Sequence, residues 1–359
     1  MNTTDYRLQQ IRQQFSSWDV DAILIDSPTN RRWLSGFTGS SGRLLITREQ
    51  AILATDSRYW VQAKAETKGF ELFQDQRQHE DTITLVRSVD AARIGLEANH
   101  ISLSNAAKLK SIANITWVPL EQPIEPLRQI KTAVEIETIR AAAAITDQTM
   151  ALVPQLVYPG ISERELAWKL EKTMRESGSD AMAFPIITAF GPNSALPHHH
   201  PGSRKLQLGE IVLVDMGAEI NGYKSDLTRT FFFGNVADES FSTVYNLVQS
   251  ALSKATDNIR PGMNSKEAYN LAMNVISDGG HREHFQHGLG HGVGLDIHEA
   301  PLLSAAGPIV KIEADMVITI EPGIYLPGWG GVRIEDLVLI TETGAEPISK
   351  CLKNPQIPV

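Results

Sequence analysis

The sequence predicts a mixed α/β (α+β) chain of two domains, an α/β unit over residues 1–125 and a larger α+β unit over 126–359. Three observations carry this. The chain has 359 residues, more than a single core usually serves. Its first third holds one helical stretch followed by several short apolar runs of strand length. Pro119, Pro123 and Pro126 then punctuate the chain as a linker would, before a stretch with long-helix and β-hairpin signals.

In chain order, residues 6–17 read as a helix, and 21–25, 43–47 and 51–55 as short buried strands. Segment 36–42 is glycine-rich but lacks the terminal Lys-Ser/Thr of a phosphate-binding loop, so it is not read as one. From Lys131 a long helix begins, with its charges expected to face outward. The clearest local signal follows at Asn221-Gly222, which joins two β-rich runs. A type I′ turn needs positive φ at both central residues, and Asn-Gly supplies it. With these two at the tip, Ile220 faces Tyr223, Gly217 faces Asp226 and Asp215 faces Thr228. Side chains alternate along a strand, so Asp215 and Asp226 share one face as diagonal neighbours, about 7–8 Å apart at the backbone. Two unpaired acids so placed repel one another unless cations join them.

Further along, His287, His291 and His298 lie among Gly288, Gly290, Gly292 and Gly294. Each interior glycine costs a helix about 1 kcal/mol relative to Ala. No Glu follows His287, as the helical zinc-protease pattern requires. The run therefore reads as an extended segment whose backbone passes close to a site. Residues 316–323 form an apolar strand ending at Glu321, and 332–340 another with Glu335 inside it. A glutamate there is costly to bury unless it is paired or holds a metal. Asp215, Asp226, His291, Glu321 and Glu335 thus form an oxygen-rich set with one imidazole. Such a set suits Mn²⁺, Co²⁺, Fe²⁺ or Zn²⁺ in a two-metal site better than a closed thiolate zinc site.

Composition restricts the partners. A formal net charge of −9 disfavours nucleic acid and anionic membranes. The single cysteine, Cys351, cannot form an internal disulfide and fits a reducing compartment. No basic-then-apolar leader and no apolar run of spanning length is present, so a cytoplasmic protein is expected.

The order Asp, Asp, His, Glu, Glu in these contexts resembles the pita-bread metallopeptidases, the family of methionine aminopeptidase, aminopeptidase P, prolidase and the metal-free creatinase. The matching stretches are 213–218 with 222–230, 287–299, 320–323 and 333–336. Segments 36–42 and 56–60 are similar to the creatinase-type N-terminal domain, which methionine aminopeptidases lack. This narrows the resemblance to the proline-directed branch. It implies a creatinase-type domain over 1–125, a pita-bread catalytic domain over 126–359, and a homodimer acting on short proline-containing peptides. It also implies two divalent metal ions, Mn²⁺ first, with Co²⁺, Zn²⁺ or Fe²⁺ as alternatives, held by Asp215, Asp226, His291, Glu321 and Glu335.

The resemblance further assigns His198, His287 and His298 to substrate or to the tetrahedral intermediate; the plainer reading is that they hydrogen-bond ligands into place. His199 and His200 read as a solvated pair, and His281 and His284 as surface residues. Arg333 either neutralises Glu335 or belongs to the site. A water shared by two cations would lose its proton near neutral pH and attack the carbonyl, with Glu321 passing the proton to the leaving nitrogen. Prolidases commonly carry an Arg just after the His-Glu step; here His298-Glu299 runs into Pro301, Leu302 and Leu303, with no cation before Lys311. That departure favours an Xaa-Pro aminopeptidase. The alternative is an Xaa-Pro dipeptidase that uses Lys311 or the partner subunit's Arg58 for the substrate carboxylate. A non-catalytic binding protein on the same scaffold is the reading from another class, and the five filled ligand positions oppose it.

Overall fold

A computed structural model describes residues 3–76, 78–235 and 238–358. Contacts divide the chain into Met1–Arg128 and Gln129–Val359. In the first unit, helix Thr3–Trp18 precedes a six-stranded sheet containing Ala22–Ile25, Arg43–Thr47 and Ala51–Thr55. Ala22–Ile25 lies inside this sheet and is buried at every position, which explains its unbroken apolar run. Pro119 belongs to this sheet and not to a linker. It sits in Thr116–Leu120, the edge strand paired on one side with Arg93–Glu97, where a missing N–H is tolerated. Pro126 falls in the short helix Glu125–Arg128. In segment 36–42, the Arg31 guanidinium donates to the carbonyls of Gly39 and Gly42. A loop that turns carbonyls inward onto its own cation has the opposite polarity from a phosphate cradle.

The second unit has two halves, each a helix pair on a mainly antiparallel sheet. Helices Ala133–Ala151 and Glu163–Glu176 share one apolar cluster with the sheet containing Glu210–Met216 and Leu227–Phe233. Helices Glu239–Asn258 and Ser265–Asp278 share another with the sheet containing Gly290–Gly292, Val317–Ile320 and Asp336–Thr341. The charges that open helix Ala133–Ala151 do not all face outward. Glu135 is buried, closes a capping box with Thr132 and accepts a 2.6 Å bond from the Tyr223 hydroxyl. Lys131 is buried against Glu299, Nζ to Oε2 at 3.0 Å. Both corrections have one cause: the first turn of the helix docks on the hairpin and on the histidine segment, so its charges find partners inside.

Residues 332–340 are not one strand. Gly330–Arg333 pairs with Gly323–Leu326, whereas Asp336–Thr341 pairs with Val317–Ile320 in another sheet. The register nevertheless continues across the gap, with Gly323 opposite Arg333 and Ile320 opposite Asp336. Pro322 has no N–H to give, so the ladder opens there. The chain bends into the second sheet and leaves Glu321 and Glu335 at the break.

Candidate metal centre

The hairpin folds in the expected register. Ile220 pairs with Tyr223 and Asp215 with Thr228, while Asn221 and Gly222 take φ of 48° and 77°. Gly217 has a steric reason to be glycine, because a Cβ there would lie 1.9 Å from the Ser225 carbonyl. The histidine segment obeys the same logic. A Cβ at Gly290 would lie 2.0 Å from the Thr319 carbonyl, so only glycine lets the strand carrying His291 lie this close to the strand leading to Glu321.

One potential donor atom from each of Asp226, His291 and Glu335 lies within 4.8 Å of the other two. His291 Nε2 is 3.6 Å from Asp226 Oδ2 and 3.4 Å from Glu321 Oε1. Its Nδ1 sits 3.1 Å from the Gly292 carbonyl and donates to it, which leaves the Nε2 lone pair aimed at the carboxylates. Burial, with smaller contributions from neighbours, pushes the His291 imidazole down to about 4, so it is neutral and able to ligate at pH 7. Burial pushes the acids the other way, and mutual repulsion adds to it: Asp226 and Glu335 rise well above the carboxylate range and Glu321 rises to about 8. Asp215 Oδ1 is buried without a hydrogen-bond partner. Four buried or nearly buried acids, one orphaned oxygen and one neutral imidazole make up a donor set that fits divalent cations.

Arg333 does not pair with Glu335. Its Nη2 lies 2.6 Å from Asp215 Oδ2, its Nη1 donates to Tyr325 Oη at 2.8 Å and its Nε to Thr228 Oγ1 at 3.1 Å. Glu335 instead accepts a 2.7 Å bond from Thr228 Oγ1. Burial opposes the Arg333 charge, yet Tyr325, Asp215, Glu321 and Glu335 around it hold its pKa above the ordinary guanidinium value. His287 joins this network through Tyr325, Nε2 to Oη at 2.9 Å, and burial lowers its pKa to about 4. Sequence reasoning missed Tyr325, Thr228 and Thr319. Thr319 Oγ1 accepts from the His291 amide and lies 3.3 Å from Glu321 Oε1. Their signal was faint: Thr228 and Thr319 sit on strands directly beside predicted ligands, and Tyr325 shares the strand after Glu321-Pro322.

The donors open into a cavity of about 410 Å³ lined also by Phe184, Pro185, Ile187, Ile297, Leu302, Arg333 and all three of His198, His199 and His200. His287 and His298 line it as well, His298 with its ring edge-on to His291 at 4.4 Å between centroids. His198 and His200 are exposed, whereas His199 is half-buried and bonded to Glu163. His281 and His284 are half-buried and bonded to each other, not free on the surface. Leu302 lies opposite His291 in the strand register. Lys311 is exposed and does not line the cavity, and the Arg58 guanidinium makes two bonds to Asp56.

Residues 137–342 match the model of metallopeptidase family M24, and residues 7–130 match the creatinase/prolidase N-terminal domain. The chain belongs to metallopeptidase family M24. It is therefore a metal-dependent peptidase on the creatinase-plus-pita-bread architecture. It is 35% identical to a Xaa-Pro dipeptidase of Pyrococcus furiosus over 96% of this chain and 97% of that one. The structure of a Xaa-Pro dipeptidase from Bacillus anthracis superposes with a TM-score of 0.96 at 34% identity, covering 99% of this chain and 100% of that one. The X-Pro aminopeptidase of Thermotoga maritima superposes at 0.88 with 31% identity, covering 97% and 100%. No helix among the described residues is long and apolar enough to cross a membrane.

Proposed function

We propose that this M24 enzyme is a Xaa-Pro dipeptidase with two divalent cations held by Asp215, Asp226, His291, Glu321 and Glu335. The observation that carries the reading is the orphaned Asp215 oxygen among acids that cannot all be charged without a counter-ion, at the floor of a cavity sized for a short peptide. Cations bound there, Mn²⁺ first and Co²⁺, Zn²⁺ or Fe²⁺ by the same chemistry, would polarise the scissile carbonyl and ease deprotonation of the attacking water.

The chain's own groups then have defined tasks. Glu321, which lines the cavity, takes the proton of the attacking water and passes it to the leaving proline nitrogen. His198 and His298 line the cavity and donate to the oxygen that gains charge. Arg333 fixes Asp215, and Tyr325 ties Arg333 to His287, so the constellation is rigid before substrate arrives. The apolar wall of Phe184, Pro185, Ile187 and Ile297 receives the pyrrolidine ring.

The relatives named Xaa-Pro dipeptidase support this reading over the aminopeptidase reading that the missing arginine favoured. One observation keeps the second reading in play: Leu302 lines the cavity opposite His291, so no fixed guanidinium meets the carboxylate at that point. For a dipeptide, exposed His200 at the cavity lip is the imidazole offered to it. Competition between Gly-Pro and Ala-Pro-Ala on the metal-loaded enzyme decides. A higher kcat/KM on Gly-Pro is the expected result; cleavage of the tripeptide alone makes the enzyme an aminopeptidase. Elemental analysis of the active protein identifies the metal, and sedimentation tests the homodimer.

A further inference from the structure

One fully buried carboxylate lies outside the donor set. Glu163 opens helix Glu163–Glu176 and is 0% exposed. Its oxygens accept four bonds. Oε1 takes the Phe190 amide at 3.0 Å and Asn193 Nδ2 at 2.8 Å; Oε2 takes His199 Nε2 at 2.9 Å and the Gly202 amide at 3.0 Å. The first two donors stand at the entry to segment 190–202 and the last two at its exit. Burial alone would raise the Glu163 pKa, but these bonds, His199 foremost, bring it below the ordinary carboxylate value, so the group is charged. His198 lies in the middle of the tied segment. On its other side, the Pro197 carbonyl accepts from Arg333 Nη1 at 3.4 Å.

We infer that Glu163 and His199 are positioning residues, a clamp that holds the 190–202 segment so that His198 meets the substrate. The inference rests on the reading of His198 as a substrate-contacting group. A carboxylate with four donors spanning both ends of one segment sets that segment's path, and a displacement of about 1 Å at a catalytic group can cost on the order of 100-fold in rate. Glu163→Gln keeps the shape but replaces one oxygen by an amide nitrogen that cannot accept, so two of the four donors lose their partner. His199→Gln keeps a donor at nearly the same reach, whereas His199→Leu keeps none.

The test uses the metal-loaded enzyme with Gly-Pro and Ala-Pro-Ala. Glu163→Gln should lower kcat about 10- to 100-fold with little change in KM and unchanged metal content. In a His198→Ala background the same substitution should cause no further fall, because the group to be positioned is gone. His199→Gln should retain more activity than His199→Leu. Multiplicative losses of Glu163→Gln and His198→Ala would overturn the inference, as would equal losses for the two His199 variants or a fully active His198→Ala. Amide hydrogen exchange separates this from the peptidase reading. Exchange in 190–202 should speed up in Glu163→Gln while helix Glu239–Asn258 stays protected. If the wild type cleaves neither peptide, the peptidase reading falls, and unchanged exchange in 190–202 alone would then refute the clamp.

Discussion

Removing the cations should give this protein an inverted dependence of stability on pH around neutrality. In the metal-free fold, Glu321 titrates at about 8 in place of the ordinary 4.5, and Asp226 and Glu335 are displaced in the same direction. A carboxyl whose folded pKa is raised favours the folded state most at low pH. That contribution is lost as pH climbs from the unfolded to the folded pKa, because the unfolded chain has already released its proton. The neutral imidazoles act with the opposite sign: His287 and His291, lowered to about 4, add stability as pH rises from 4 to their unfolded value of 6.5, and nothing beyond it. The informative window is therefore pH 6.5 to 8. At about 1.4 kcal/mol per pH unit, Glu321 alone removes about 2 kcal/mol across it, a sizeable part of the usual 5–15 kcal/mol. Urea midpoints of chelated protein at pH 6.5, 7.3 and 8 measure this directly. Mn²⁺ should cancel or reverse the slope, because ligation displaces the same protons. Glu321→Gln should flatten it in the chelated protein. Chelated protein whose stability is constant or rises from pH 6.5 to 8 would refute the account of crowded, uncompensated acids.

Three other outcomes follow from the geometry. Tyr325→Phe strips the hydroxyl that joins His287 to Arg333 and should cost about 1–3 kcal/mol of transition-state stabilisation, read as a fall in kcat/KM at unchanged metal content. His298→Ala should lower kcat by orders of magnitude with metal retained, while exposed His200→Ala should leave kcat nearly intact and raise KM for dipeptides only; equal metal loss in both would contradict the assignment. Leu302→Arg, which places a cation on the cavity wall, should shift the ratio of kcat/KM towards Xaa-Pro dipeptides and away from Xaa-Pro-Yaa, and an unchanged ratio would show that the substrate carboxylate does not reach this wall.

How much of this was legible in the sequence depended on range. The Asn221-Gly222 turn is a local instruction, and the register it sets carried Asp215 to Thr228 without further information. The short strands of the first unit were equally local. Glu335 was found as a buried acid but misplaced within its strand, since only the pairing of residues 320 and 336 on one side and 323 and 333 on the other reveals the opening at Pro322. Lys131 and Glu135 were misread because helix position says which residues flank a cap, not which distant surface the cap will meet. Tyr325 and Glu163 were not singled out for a similar reason. One is a tyrosine in a strand and the other a glutamate in the first turn of a helix, and each acquires its role from partners tens of residues away.

The two halves of the second unit each have an apolar cluster, a third packs Ile136, Ile139 and Ala143 of helix Ala133–Ala151 against Val317, Leu337 and Leu339 of the other half, and the proposed donors are divided between the halves. Asp215 and Asp226 belong to the hairpin of one half; His291, Glu321 and Glu335 belong to the other. A cation gripped by both sets, as proposed, would be a cross-link as well as a reagent. It would add the binding energy of the metal to the cost of separating the halves, and it would couple the tightness of the grip to their alignment. In such an arrangement an apolar substitution far from the cavity, by tilting one half against the other, changes metal affinity before it changes anything at the reacting bond.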